Sequence, residues 1–352
     1  MTRRRRLPGS LQGLALVLAV VVGADLALVG YAAARPGGDN LILPYSTTSV
    51  PAVARPGVDA YAASPEALGL VSSLSGPVSA DESDPDQSLR HVLAELLVVA
   101  RTDDVRRLRR RTIPVVESVL EGTSDGLVRH RESGRDVDRY PLPSGWVSAE
   151  TQGLLLSVTS RLYRLTGDAR WRREATRTFR TLLRFQGGRD GADRPFDPWL
   201  SLVDEYGWLW FERYPQGQRP SLTIASHATA LIGIYDYTQI ARGAHRDTAI
   251  RAFAQGSGTA LQFSGLLVAE RGPAWTSIWQ ISRSLRSHRQ FTAQLRALAA
   301  MTGMAEFART ADVMTATGET YEALLRRSAS RSVRLTSADA REKAARVLNG
   351  PS

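Results

Sequence analysis

An apolar helix, a short polar break and a second helix studded with arginine follow one another four times between residues 88 and 325, and this recurrence limits the fold more than any other feature. The copies run 88–101 then 103–121 around Arg101-Thr102-Asp103, 150–165 then 169–186 around Thr166-Gly167-Asp168, and 290–301 then 304–325 around Thr302-Gly303. A looser copy, 224–241 then 247–264, breaks at Arg242-Gly243. Apolar residues recur at three-to-four spacing, as in Leu154, Leu155, Val158, Leu162 and Leu165, so each helix has one face to bury. A hairpin that cannot bury that face alone must stack on its neighbours. Four hairpins at roughly 60-residue spacing, separated by long aromatic insertions, suit an α/α toroid better than a solenoid, whose repeats are shorter and more even. The expected class is all-α: an α/α toroid of helical hairpins with short β-hairpins or loops at its rim, for which 127–140 and 265–279 are the suitable segments.

The N-terminus sets the expected location. Arg3-Arg4-Arg5-Arg6 precedes an apolar run from Leu11 to Ala34, roughly the 20 residues that a transmembrane helix needs. Positive charge before such a run keeps its start in the cytoplasm and places the chain beyond it outside. Ala32-Ala33-Ala34 offers the small residues of a cleavage site, so the alternative is a signal peptide whose removal would leave a secreted protein. The expected order is a basic cytoplasmic tail over 1–10, a signal-anchor over 11–34 and a flexible linker rich in Pro, Ser, Ala and Gly over 35–86. The helical domain comes next, over 87–330, and a polar tail ends the chain over 331–352.

The net charge is +10, but all 45 basic residues except Lys343 are arginine, and they are spread along the whole chain. A spread of this kind is no nucleic-acid footprint, and no nucleic-acid partner is expected. An anionic polysaccharide would suit it, because guanidinium forks match carboxylates and sulfates in bidentate geometry. With no cysteine in the chain, disulfides, thiol catalysis and cysteine-bound zinc are excluded. No Walker loop, His-Glu-x-x-His or Gly-x-Ser-x-Gly motif is present. A rim segment over 186–197 with Asp190, Asp193 and Asp197 could take a structural calcium ion, but its spacing matches no EF-hand loop, so no metal or other cofactor is expected.

Two blocks do not read as ordinary core: Gly-Trp-Val-Ser-Ala-Glu-Thr-Gln-Gly at 145–153 and Trp-Phe-Glu-Arg-Tyr-Pro at 210–215. Together with Arg-Leu-Tyr-Arg-Leu-Thr-Gly-Asp at 161–168 and Ala-Leu-Ile-Gly-Ile-Tyr-Asp at 230–236, they resemble the C-terminal domain of the D-glucuronyl C5-epimerases. That family inverts C5 of uronic acid units in heparan-type polysaccharides on a helical toroid. The first block departs from the family wording at Val147, where animal members carry tyrosine, and at Glu150, where methionine is usual. In the second block Arg213 stands in place of a second glutamate. Ser287 takes the place of a tyrosine in the family's Tyr-His-x-x-His-Ile, Phe291 the place of its second histidine, and Ala225-Ser226 the place of an Asn-Gly.

Inverting C5 requires removing a proton beside a carboxylate and returning one from the opposite face, so two proton-transfer groups must flank the sugar. Cationic or hydrogen-bonding groups must also stabilise the enolate-like intermediate. The resemblance implies Tyr214 as a proton-transfer group, made a better base by nearby arginine, with Glu212 tuning or assisting it. It implies His288, beside Arg283, Arg286 and Arg289, as the group that meets the carboxylate, and His288 or Tyr206 as a substitute for the tyrosine missing at Ser287. Trp146 would stack on sugar and Gln152 would hydrogen-bond it, with Arg213, Tyr206 and Arg286 as further substrate contacts. Asp204 and Glu205 could supply a replacement carboxylate, whereas Tyr235 and Asp236 read as a turn lock.

The leading expectation is an isomerase acting on a cell-surface or extracellular uronic acid polysaccharide. Two alternatives stay open: a glycan-binding relative without activity, and a toroid-fold lyase or hydrolase that would shorten the polymer. Larger family members carry a β-rich N-terminal region that contributes to the cleft, and here a homodimer or a partner protein would take its role.

Overall fold

The two central helices are buried on nearly every side, and this decides where a site can lie. The computed structural model describes residues 84–323 except 103–104, 124, 137–138, 188–197, 218, 270–271 and 281–282. The expected tail, signal-anchor and linker, the C-terminal tail and the aspartates at 190, 193 and 197 therefore lie outside the described residues. Among the described residues no helix is long and apolar enough to cross a membrane.

The described part is mostly helical, as expected. Helix α1 (Pro85–Thr102) is followed by a three-residue turn of helix, a π-helical stretch at Leu108–Thr112 and α2 (Ile113–Glu121). Over the described residues 105–121 the expected helix runs without interruption but widens into a π-turn at Leu108–Thr112, and Pro114 explains the widening. A proline ring has no N–H and crowds the carbonyl of the preceding turn, which the wider π-turn accommodates. Then come α3 (Ala149–Thr166), α4 (Ala169–Leu182), α5 (Ile224–Thr238), α6 (Gly243–Ser264), α7 (Leu285–Thr302) and α8, over 305–323.

The polar breaks work as their residue types dictate. Ser148 caps α3 by accepting a hydrogen bond from Glu150 N. Gly167 closes α3 at φ 70°, a left-handed conformation that glycine adopts without a Cβ penalty. The next residue, Asp168, caps α4 through Arg170 N at 2.9 Å. Gly303 ends α7 in the same manner at φ 75°.

Helices α1, α3, α5 and α7 pack side by side in that order, while α2, α4 and α6 pack outside them. Every residue of α3 from Ala149 to Leu162 is buried. An inner helix can carry polar residues only if they are paired. Asp236 on α5 accordingly accepts hydrogen bonds from Ser157 Oγ at 2.5 Å and Arg161 Nε at 2.9 Å, tying α3 to α5. Outer helix α4 is amphipathic, burying Trp171, Ala175, Phe179 and Leu182 and turning its arginines outward.

Two small antiparallel hairpins decorate the helices. Strand β1 (Gly134–Arg135) lies within the 127–140 segment expected to form a hairpin, and its partner β2 (Pro141–Leu142) lies just past it. The second pair, β3 (Ser201–Val203) and β4 (Leu209–Phe211), was not expected; its register is Ser201 with Phe211, Leu202 with Trp210 and Val203 with Leu209. In place of a hairpin over 265–279 there is a 3₁₀ turn and two single bridges, Thr223 with Ser277 and Trp275 with Arg283. Pro273 within that segment cannot donate to a ladder.

Candidate active site

A cleft of about 250 Å³ opens where three chain segments meet the start of α1. The start of α1 supplies Asp84 and Asp86, the segment leading into β1 supplies His130, Arg131, Glu132 and Ser133 and continues to Arg135 in β1 itself, the loop before α3 supplies Trp146, and the loop after β4 supplies Arg213 and Tyr214. Backbone bonds fix the second and third segments together: His130 N donates to Trp146 O at 2.9 Å and Gly145 N to His130 O at 2.7 Å. The two side chains are aligned in turn, with the imidazole stacked on the indole at 3.6 Å and 6°. Tyr214 packs on the same indole at 5.7 Å. Gly134 on β1 sits so close that an added Cβ would lie 3.0 Å from Trp146 Nε1. With His130 stacked on one face and Gly134 close to the ring, Trp146 is a post that positions its neighbours, and one of the two faces that could stack on sugar is taken.

Below the cleft, Glu212 is fully buried and its carboxylate is taken up by its own loop. It accepts hydrogen bonds from Tyr214 N at 2.9 Å, from Leu222 N at 3.1 Å and from the Ser221 hydroxyl. Three donors on one carboxylate tie Tyr214 to Ser221 and Leu222 through Glu212 and so fix where Tyr214 stands. Leu222 is held at φ 46°, in the left-handed region that a leucine avoids. Glu212 thus positions Tyr214 and faces its own loop.

Behind Arg213 lies a buried charge network. The Glu150 carboxylate meets the Arg90 guanidinium from α1, the Ser226 hydroxyl at 2.7 Å and Arg213 Nε at 3.3 Å. Burial alone would push this carboxyl up, but Arg213, Arg90 and the Ser226 hydrogen bond together hold it down at about 2. Arg213 is held protonated well above its ordinary range: burial opposes the charge, but Glu150, Tyr214, Asp86 and Asp84 together outweigh it. Its guanidinium carbon lies 5.1 Å from the Tyr214 ring centre. Nearby arginine was expected to make Tyr214 a better base. Instead burial dominates and pushes the phenol up, so Tyr214 is held as a neutral acid. Asp86 is pushed up by burial and by Glu150, and His130 is pushed down by burial.

Of the residues expected at the site, Tyr214, Arg213 and Trp146 line the cleft and Glu212 supports it. Gln152 does not reach it. Its amide donates to Gly126 O at 2.9 Å and Thr181 Oγ1 at 2.7 Å and accepts from Val128 N at 3.0 Å, deep in the core. His288 Nδ1 accepts from Ala274 N at 3.0 Å, and an added Cβ at Gly318 on α8 would meet its Nε2 at 2.4 Å. Burial holds its pKa down, and its ring is packed between the 272–275 segment and α8. Arg286 is exposed in the first turn of α7, where Ser287 N donates to the capping Ser284 hydroxyl. Tyr206 is 63% exposed at the turn between β3 and β4. In that turn Asp204 accepts from Tyr206 N, Trp208 N and Trp210 Nε1, which makes it a turn lock. Sequence reasoning missed Asp86, His130, Arg131 and Arg135. The linker boundary was drawn just after Asp86, inside the first turn of α1, and a single histidine in a rim segment carried no motif.

The fold and the cleft define an all-α domain of stacked helical hairpins that gathers acids, bases and arginines on an aromatic post at one rim. Residues 127–315 match the family described as the D-glucuronyl C5-epimerase C-terminus, and with over half of its length covered the chain belongs to that family. No curated protein matches the chain. Helix α1, with Asp86 and Arg90, precedes the matched stretch. Among the described residues no group of three or more His, Asp and Glu could hold a metal ion.

Proposed function

We propose that this cleft binds a uronic acid residue of an exported or cell-surface polysaccharide and inverts its C5 by proton abstraction and reprotonation. The observation that carries the reading is Tyr214, a neutral phenol lining a cleft whose mouth presents the exposed guanidinium groups of Arg131 and Arg135. A uronate needs both features: a cationic partner for its carboxylate, and an acid to return a proton to C5. Membership of the epimerase family supports the same chemistry.

On this reading the four hairpins form the arc of an α/α toroid, and the segment over 11–34 tethers or exports the domain. Arg213, paired with Glu150, adds positive charge beside Tyr214. A second groove of about 280 Å³ shares His130 and Arg131 with the cleft, which favours a polymer over a free sugar. A homodimer or partner would complete the cleft from above.

The test is incubation of the full chain with heparosan, a glucuronate polymer, in D₂O, with deuterium at C5 read by NMR. Incorporation accompanied by conversion to the iduronate epimer, with the conversion lost in Tyr214→Phe, supports the reading. Binding without exchange leaves a glycan-binding relative, and a shortened polymer on size-exclusion chromatography points to a lyase or hydrolase.

A further inference from the structure

Epimerisation needs a second proton-transfer group, and neither side chain expected to supply it lies in the cleft: His288 is packed against α8 and Tyr206 sits at a hairpin tip. A three-residue hydrogen-bonded chain at the cleft wall does have the required form. Thr151 Oγ1 lies 2.5 Å from Asp86 Oδ1, which it serves as donor, and 2.9 Å from His130 Nε2. A hydroxyl has one hydrogen to give, and here it goes to the carboxylate. The Thr151 oxygen must therefore accept from His130, which places the imidazole proton on Nε2 and leaves the lone pair on Nδ1. The imidazole is held in this orientation by its stacking on Trp146, against which Tyr214 also packs.

Resting on the reading of the cleft as an epimerase site, we propose that His130 is the second proton-transfer group, working opposite Tyr214, and that Thr151 and Asp86 are positioning residues that fix its tautomer. In one direction His130 Nδ1 takes the C5 proton and the electron pair of the C5–H bond moves into the carboxylate to give an enediolate, beside the arginines of the cleft. Tyr214 gives its hydroxyl proton to C5 from the other face, the carboxylate is restored, and an imidazolium and a phenolate remain. The reverse direction starts from that ion pair, and proton exchange with water resets either form. The protonation states found at rest, a histidine held neutral and a tyrosine held neutral by burial, are those of the forward direction.

A two-group site has a signature that a structural role for His130 would not produce. Each group exchanges the C5 proton of only one epimer with solvent, so removing one group abolishes exchange from one epimer and spares the other. The experiment measures deuterium uptake at C5 by the full chain, supplied separately with a glucuronate polymer and with the iduronate-containing polymer that the wild-type protein makes from it. His130→Gln should lose at least about 100-fold in exchange from one polymer while staying within about tenfold on the other. Tyr214→Phe should show the opposite preference, and neither variant should interconvert the epimers. His130→Phe keeps the ring stacking on Trp146 and should behave as His130→Gln does, which guards against a variant that merely misfolds. Thr151→Val should show a weaker loss on the same side as His130→Gln. Equal loss on both polymers in folded His130 variants, or no loss on either, overturns the assignment and leaves the epimerase reading standing. A wild-type protein that exchanges neither polymer removes that reading and the assignment with it.

Discussion

Glu150 Oε2 lies 3.3 Å from Arg213 Nε, so two positions at which this chain departs from its family's wording are partners of one another. A carboxylate has entered where methionine is usual and a guanidinium where glutamate is usual; Arg90, from α1, meets the same carboxylate. Breaking a buried pair strands a charge, whereas replacing both members can be nearly neutral. Arg213→Glu alone would set two carboxylates against each other and should cost about 3–5 kcal/mol. Glu150→Met alone leaves the half-open Arg213 able to reach water but takes the carboxylate from buried Arg90 and the acceptor from Ser226, and should also cost about 3–5 kcal/mol. The double variant should be more stable than the sum of the two costs allows, by about 1 kcal/mol or more. Urea denaturation of the four proteins measures this, and strict additivity would show that the pair is not coupled.

Glu212 should matter to Tyr214 more than to overall stability. In Glu212→Gln one carboxylate oxygen becomes an NH₂ group that faces a donor, either Leu222 N or the pair formed by Tyr214 N and the Ser221 hydroxyl. The expected cost is about 1–3 kcal/mol, for hydrogen bonds left unmade in a buried loop. C5 exchange should fall further than that loss of stability explains, because the loop that aims Tyr214 loosens. A variant that unfolds more easily yet exchanges at the wild-type rate once folded would contradict this account.

The helical hairpins were legible because their breaks are local chemistry: Gly167 can take φ 70° and Asp168 can cap α4 whatever the rest of the chain does. Hairpin β3–β4 was not legible, since Leu209-Trp210-Phe211 is buried throughout and shows no alternation to mark a strand. At the site, the wording of the two aromatic blocks led to Tyr214, Arg213 and Trp146. It misled for Gln152, whose amide serves backbone groups of the 126–128 segment, a role that only tertiary packing reveals. His130 and Asp86 are 44 residues apart in a chain whose folding brings both to Thr151, and no local spacing encodes that meeting.

Stability should fall as the solution is acidified below neutrality, before most carboxylates protonate. His227 is fully buried between Phe211 N, which donates to its Nδ1, and Gly256 O, 2.8 Å from its Nε2. Burial holds its pKa at about 4, against 6.5 for an ordinary histidine. As pH falls from 6.5 to 4 the unfolded chain takes up a proton that the folded chain refuses, so acid favours unfolding across that window, by about 3 kcal/mol at its lower end. His130 and His288, both held low by burial, act in the same sense. Asp86, held high by burial, opposes them towards the acid end. Urea midpoints between pH 7.5 and 4.5 should decline, and less steeply in His227→Gln; a flat profile in the wild-type protein would rule this out.

The close approach of α3 and α5 depends on two glycines, and the cost of filling it should depend on what stands opposite. A Cβ at Gly233 would lie 2.2 Å from the Gly153 carbonyl oxygen, and one at Gly153 would lie 2.6 Å from Ala230 Cα. Both obstacles are backbone, so the helices themselves would have to part. At Gly256 on α6 the nearest obstacle, at 2.6 Å, is the end of the Leu231 side chain, which can turn aside. Alanine is intrinsically the better helix former by about 1 kcal/mol, so propensity alone would make all three substitutions stabilising. Gly233→Ala should nevertheless destabilise by about 3 kcal/mol or more, with Gly256→Ala costing less. The site should feel the first change but not the second, because α3 and α5 hold Glu150 and Ser226 at 2.7 Å across the same interface. Thermal unfolding of the two variants beside their C5 exchange rates tests both halves: equal destabilisation would mean that the interface yields as easily as a side chain, and that the distance between α3 and α5 does not set the geometry beneath Arg213.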